Sequence, residues 1–216
     1  TRMLSSVELC AGAGGQALGL ESAGCDHAAR GEIDAGCRAT LSRNRPDWNV
    51  CSGNQANLET FDPDPFRGVD LVAGGLPCPP FSVAGRQLGQ DDERNLFPDA
   101  LRIADAIRPK AVLIENVRGF LDPVFAEYRT QLTADFRKLG YELRIRLFNA
   151  SDFGLPQLRP RVAIVALADS VKDRFCWPDP QGMPACSVGA TLSDLMRQNG
   201  WLGADAWVRR ADRIAP

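Results

Sequence analysis

The chain is 216 residues long, with a formal net charge of −2, seven cysteines and one histidine, His27. Seven cysteines without a Cys-x-x-Cys pair argue against a disulfide framework and a lone histidine against a zinc site; the charge balance has no bulk basic signature, so nucleic-acid binding would need locally concentrated arginines. No apolar run is long enough to span a membrane and no signal-peptide pattern opens the chain, so a cytoplasmic protein in a reducing compartment is expected, with no membrane partner and no metal.

Strand and helix patterns then alternate, the rhythm of one α/β domain with a short appendage. Ser6-Val7-Glu8-Leu9-Cys10 reads as a first strand, followed by the turn Ala11-Gly12-Ala13-Gly14-Gly15 and a helix from Gln16 to about Ala23. A second strand is expected over 28–32, after which Asp34 caps a helix through Arg43. A short strand near Val50 and a connection containing Pro63 and Pro65 lead to a buried strand over 69–73, with Gly74-Gly75 letting the backbone turn out of the sheet. Asn95 is a candidate cap for a helix carrying Phe97, Ala100, Leu101, Ala104 and Ile107 at helical spacing, and Pro109 stops it. The apolar run over 111–114 predicts a central parallel strand buried on both faces.

After a helix around 125–139 the period changes to two. Tyr141, Leu143, Ile145 and Leu147 alternate with Glu142, Arg144, Arg146 and Phe148, and the apolar stretch 162–167 can return beside them, so the sheet is expected to end in an antiparallel pair. Proline and glycine between 177 and 184 mark a boundary. Beyond it one short helix is expected over 191–198, and the segment from Ala206 has no convincing core of its own.

Four groups of residues carry chemistry. Cys78 lies on a proline-stiffened loop, Pro77-Cys78-Pro79-Pro80, after the 69–73 strand, at the sheet edge where open α/β folds bind ligands. A buried structural cysteine is the plain alternative. Gly12-Ala13-Gly14-Gly15-Gln16-Ala17 fits a loose G-x-G-x-x-A turn, and Glu32, 20 residues after Gly12, can accept ribose hydroxyls. Together they suggest a nucleoside-containing cofactor, nicotinamide dinucleotide included; close helix packing is the alternative. Glu115 follows the 111–114 strand, where it is either an acid facing the Cys78 pocket or a cap for the next loop. Arg159 and Arg161 are either two fixed cations or a solvated basic edge.

In this order the motifs resemble those of the DNA cytosine-5 methyltransferase family. Glu8-Leu9-Cys10-Ala11-Gly12-Ala13-Gly14-Gly15 is similar to its first motif, Glu32-Ile33-Asp34 to its ribose-binding motif and Pro77-Cys78 to its catalytic motif. Glu115-Asn116-Val117 is similar to the acid motif, and Gln157-Leu158-Arg159-Pro160-Arg161 to the later basic motif. The resemblance runs roughly from Val7 to Leu167 and implies a Rossmann-like S-adenosylmethionine-dependent fold, α/β with a mostly parallel sheet. It also implies DNA methylation in a restriction-modification system, with double-stranded DNA as the partner.

In the mechanism so implied, Cys78 adds to cytosine C6, Glu115 donates to N3, and Arg161, supported by Arg159, reaches O2 or holds Glu115. The cytosine is flipped from the duplex. The loop 81–95, with Gly85, Arg86, Gly89 and Arg94, would close over it, although Asp91-Asp92-Glu93 opposes broad phosphate contact. The resemblance assigns S-adenosylmethionine, and the product S-adenosylhomocysteine, to Glu8, Cys10, Ala11, Gly12, Gly14, Gly15, Glu32, Ile33, Asn54 and Pro77. Within that set Glu8 or the glycine backbone meets the amino-acid part, Glu32 the ribose and Ile33 an adenine face. Cys10 stands where the family usually has an aromatic residue, and Asn54 where an Asp commonly meets adenine, although an amide carbonyl still accepts that bond.

The family's target-recognition region and its closing Gly-Asn-Ser/Ala-Val element are not recognisable after Ala168. Residues 1–168 are therefore read as the catalytic domain and 169–216 as a connection toward a separate or missing recognition part. A tRNA cytosine-5 methyltransferase of the same fold, a non-catalytic DNA-binding subunit and a nicotinamide-dependent oxidoreductase are the alternatives.

Overall fold

Five apolar residues, Phe97, Ala100, Ile103, Ala104 and Ile107, form the buried face of the helix Phe97–Ile107 in a computed structural model of the protein, which describes residues 3–77, 95–180 and 187–211. Ile103 takes the place expected for Leu101. At roughly 100° per residue Ile103 falls about 40° beyond Ile107 and closes one side of the buried face, while Leu101, about 100° from Ala100, turns to the other flank. Burying an Ile or Phe side chain contributes roughly 1.5–3 kcal/mol, so this face anchors the helix to the sheet. The Asn95 side chain accepts the Phe97 N–H at 3.3 Å, and the helix ends at Arg108, in the left-handed region at φ 57, just before Pro109.

The described elements, in chain order, are β1 (Leu4–Leu9), α1 (Gly15–Ser22), β2 (Cys25–Gly31), α2 (Ala35–Asn44), β3 (Leu71–Gly75), α3 (Phe97–Ile107), β4 (Ala111–Val117), α4 (Ala126–Lys138), β5 (Tyr141–Asn149), β6 (Pro160–Ala168), α5 (Val188–Gln198) and α6 (Ala204–Ala211). The sheet runs β2-β1-β3-β4-β6-β5, with β1 parallel to β2 and β3, and β3 parallel to β4. An antiparallel pair closes it, as expected. Asp34 caps α2 by accepting the Cys37 N–H at 2.7 Å, again as expected.

Strand order reverses around β1, because the chain goes first to β2 on one side and then returns to β3 on the other. The crevice outside the carboxyl ends of β1 and β3 is therefore a topological switch point, where open α/β sheets hold their ligands. At the opposite ends of the same strands, the Asp70 carboxylate accepts from the Ser5 N–H at 3.0 Å and from Lys110 Nζ at 2.7 Å. The bond from Lys110, then that from the Ser5 backbone, hold its pKa down at about 2.

Three expectations need correction. Gly74 and Gly75 do not turn out of the sheet; they are the last residues of β3. A Cβ on Gly74 would lie 2.9 Å from the Leu9 carbonyl oxygen, so glycine is there because β1 approaches too closely for a side chain. The strand near Val50 shrinks to a single bridge with Arg30. The one short helix expected near the end is followed by a second: α6 follows α5, with Trp201 and Trp207 edge-on at 6.1 Å and Arg197 paired with Asp205 at 2.6 Å, while no described residue from Ala206 on is buried.

The chain divides into two compact units, Thr1–Arg146 with Val162–Phe175, and Leu147–Arg161 with Cys176–Pro216. The last residues of β5 and the first of β6 thus group with the chain that follows Phe175. In the second unit Ala150 N–H donates to the Arg159 carbonyl at 3.1 Å, Phe148 packs against Phe153 and Trp177, and Ser187 caps α5 through the Ala190 N–H. Among the described residues no helix is long and apolar enough to cross a membrane, and no group of His, Cys, Asp and Glu could hold a metal ion.

Candidate active site

The turn after β1 is built from backbone conformations that most residues avoid. Cys10 has φ 54, Gly12 φ 56 and Gly14, which precedes α1, φ 94. For a residue with a Cβ this region costs about 1–2 kcal/mol, so Cys10 is held there by its surroundings. The Glu32 carboxylate supplies part of that hold. Its Oε2 accepts the Gly12 N–H at 2.6 Å and its Oε1 the Asp34 N–H at 2.7 Å, so one side chain ties the glycine turn to the start of α2. A carboxylate has about four acceptor positions, which leaves two for hydroxyl groups.

A cavity of about 450 Å³ opens at the switch point. Four residues singled out from the sequence line it: Cys10, Glu32, Ile33 and Pro77. Ile33 is 67% exposed, a large apolar side chain beside a polar carboxylate, which is the pairing a ribose joined to a flat base requires. Glu8, Ala11, Gly12, Gly14, Gly15 and Asn54 do not line it. Asn54 is exposed in the 3-10 turn Gly53–Ala56, where its carbonyl accepts from Thr60 Oγ1 at 2.9 Å. A further wall comes from Ala56, Asn57, Leu58 and Glu59, which the sequence reading missed. Their signal was faint: Asn57 opens the 3-10 turn Leu58–Thr60 by accepting the Glu59 N–H at 3.1 Å.

Cys78 falls outside the described residues, as do Arg86, Arg94 and the rest of 78–94; Pro77, directly before it, lines the cavity. Glu115 is half-buried on the neighbouring strand, inside β4 rather than after it, because that strand runs on through Val117. In register it stands beside Gly75. A Cβ on Gly75 would lie 3.9 Å from Glu115 Oε2, an ordinary contact distance, so the carboxylate reaches alongside a residue of the cavity lining. Asn116, fully buried, turns its Oδ1 to its neighbour's N–H at 2.8 Å. Arg159 and Arg161 belong to the second unit, where the Arg159 N–H donates to Asn149 Oδ1 at 2.9 Å and Arg161 Nη1 to the Pro160 carbonyl at 2.9 Å.

The profile of the family described as C-5 cytosine-specific DNA methylase matches residues 4–216. The chain belongs to this family. It is 52% identical over 212 residues to the type II methyltransferase M.NgoMIV of Neisseria gonorrhoeae, covering 98% of this chain and 67% of the relative. To M.NaeI of Lentzea aerocolonigenes it is 49% identical, covering 99% of this chain and 51% of the relative. The chain thus spans between about half and two thirds of the length of these two relatives. A DNMT2 structure from Spodoptera frugiperda superposes with a TM-score of 0.61 at 23% identity, over 82% of this chain and 53% of the other, a likeness of fold.

The chemistry around the cavity limits which groups of this C-5 methylase domain can react. Burial, with Glu32 adding to it, pushes the Cys10 thiol up to about 12, so it stays protonated and inert at neutral pH. Burial also raises Cys25 and Cys51. His27, the lone histidine, is a core residue. Its Nε2 donates to the Ala17 carbonyl at 3.0 Å while Nδ1 accepts from Ser6 Oγ at 2.8 Å, and burial lowers its pKa, so it is neutral. Glu8 lies at 0% exposure in β1. Burial raises its pKa to about 7, against the pull of Arg30, whose guanidinium lies 3.8 Å over the Trp48 ring. Glu8 therefore lies buried within β1, outside the cavity lining.

Proposed function

We propose that this chain is the catalytic part of a DNA cytosine-5 methyltransferase of a type II restriction-modification system, using S-adenosylmethionine as methyl donor. The observation that carries the reading is the switch-point cavity, where Cys10, Glu32, Ile33 and Pro77 meet directly before Cys78, with Glu115 beside Gly75 on the next strand. The cavity suits the donor: Glu32 retains free acceptor positions for the ribose, Ile33 offers an apolar face to adenine, and about 450 Å³ lies within the range of small-molecule sites. When bound, S-adenosylmethionine supplies an electrophilic methyl group.

The chain's own residues supply the rest. Cytosine C5 is too weak a nucleophile within the aromatic ring, so the Cys78 thiolate adds to C6, forming a C–S bond and pushing electron density toward C5 and N3. Glu115 donates a proton to N3 and contacts the exocyclic amine, stabilising the charge that develops. Arg161, with Arg159, reaches toward O2 or holds Glu115. After C5 has taken the methyl group, a base removes the C5 proton, the C–S pair returns to Cys78 and N3 gives back its proton, leaving 5-methylcytosine. A stacked cytosine cannot be approached in this way, so the base is flipped from the duplex. Target choice requires base-edge contacts in a groove and is assigned to the part of the protein beyond this chain.

The test is a methylation assay with the full-length protein on duplex DNA and tRNA in parallel, mapped by bisulfite conversion. Methyl transfer to cytosine in duplex DNA is expected. Transfer to tRNA alone would replace the DNA reading with the tRNA one, and binding of nicotinamide dinucleotide in place of S-adenosylhomocysteine would replace both.

A further inference from the structure

Arg102 sits on α3 and reaches off its own helix to a different part of the chain. Its Nη2 donates to the Leu58 carbonyl at 2.7 Å and the Glu59 carbonyl at 3.3 Å, and its Nη1 to the Phe61 carbonyl at 3.1 Å. Asp99, one turn earlier, lies 3.5 Å from its Nε and steers the fork. Arg102 does not line the cavity, whereas Leu58 and Glu59 do. Leu96, the residue before α3, lines it too.

The wall so gripped has little rigidity of its own. The 3-10 turn Leu58–Thr60 is three residues long, flanked by extended backbone at Asn57, and its closing bonds are long: Thr60 N–H to the Asn57 carbonyl at 3.2 Å and Phe61 N–H to the Leu58 carbonyl at 3.4 Å. Short 3-10 segments are held by poor hydrogen-bond geometry. A guanidinium fork gripping three consecutive-region carbonyls adds charge-assisted bonds, roughly twice as strong as neutral ones and fixed in direction. Two sides of the cavity, the Leu96 side and the wall of Asn57, Leu58 and Glu59, are thereby referred to one helix.

We infer that Arg102 is a positioning residue for the cofactor, holding the wall of Asn57, Leu58 and Glu59 at the spacing that the nucleoside part of the donor requires. The inference rests on the reading of this cavity as the methyl-donor site. A built-in control exists elsewhere in the molecule. Arg129 on α4 grips carbonyls in the same manner, donating from Nη1 to Phe120 at 2.7 Å and to Asp122 at 2.9 Å, but its turn is not part of the cavity.

The experiment is calorimetric titration of S-adenosylhomocysteine into the wild type, Arg102→Gln and Arg129→Gln, paired with steady-state kinetics in S-adenosylmethionine on the full-length protein. Arg102→Gln should raise Kd about tenfold, with the kinetic loss falling on KM rather than on kcat. Arg129→Gln should lose similar thermal stability while its Kd stays within about twofold of wild type. Arg102→Lys, which keeps the charge but not the fork, should fall between wild type and Arg102→Gln, and it decides the matter should the glutamine variant not fold. An unchanged Kd in both Arg102 variants overturns the inference, as does an equal rise in Arg102→Gln and Arg129→Gln, which would mean general loosening. A wild type that binds no S-adenosylhomocysteine fails the methyl-donor reading itself, and this inference with it.

Discussion

The carboxyl edge of β1–β3 and the second unit of the chain obey different constraints. At the edge, position after position is set by backbone geometry: left-handed Cys10, Gly12 and Gly14, a Gly74 pressed against the Leu9 carbonyl, and a Glu32 carboxylate bound to two N–H groups. The second unit carries large apolar side chains in the open, Leu158 at 82% exposure and Leu202 at 102%, and its described bonds are local ones along hairpin and helix ends. A site that must orient a small cofactor needs atoms fixed to within a fraction of an ångström, and fixed backbone is the cheapest way to obtain that. Sequence motifs survive as readable spacing where the backbone is so constrained.

The largest expected effect breaks the constrained region. Gly74→Val places methyl groups where even a Cβ sits 2.9 Å from the Leu9 carbonyl, and it should destabilise the protein by about 3 kcal/mol. Urea denaturation reads this directly; a loss below ~1 kcal/mol would mean that β1 and β3 can part without cost.

A smaller effect is expected at Glu32. Removing its carboxylate in Glu32→Ala frees the Gly12 and Asp34 N–H groups and takes away the proposed ribose acceptor, so S-adenosylmethionine affinity should fall about tenfold or more. Calorimetry showing unchanged affinity would remove Glu32 from the cofactor site. The smallest effect lies in the second unit. Leu158→Ser at an exposed position should change stability by no more than about 0.5 kcal/mol. A loss several times larger would show that this unit is as tightly constrained as the edge.

The same contrast explains what the sequence disclosed. Strong local signals were readable: the Asp34 cap, the apolar run of β4 and the helical stripe of α3. The antiparallel end of the sheet followed from the change of period at Tyr141. The cavity wall at Asn57, Leu58 and Glu59 was not readable, because 3-10 turns have no repeating pattern and this one is held by Arg102 from 41 to 44 residues away. Nor was α6, whose two turns are too short for a period and whose partner contacts come from Trp201 and Arg197 in α5 and the turn after it. Gly74 was misread for a related reason. A glycine required by close approach of a neighbouring strand looks, in sequence, like one required by a turn.

In the proposed mechanism Cys78 is the group that attacks cytosine, while Cys10, a thiol of the cavity lining, stays protonated with its pKa at about 12. The direct measurement is adduct formation by the full-length protein on duplex DNA carrying 5-fluorocytosine at the target, with S-adenosylmethionine present, because fluorine cannot leave C5 as a proton does. A denaturation-resistant complex is predicted for the wild type and for Cys10→Ser, and none for Cys78→Ser. An equal yield of adduct from Cys78→Ser, or its loss in Cys10→Ser with cofactor affinity intact, would contradict the account.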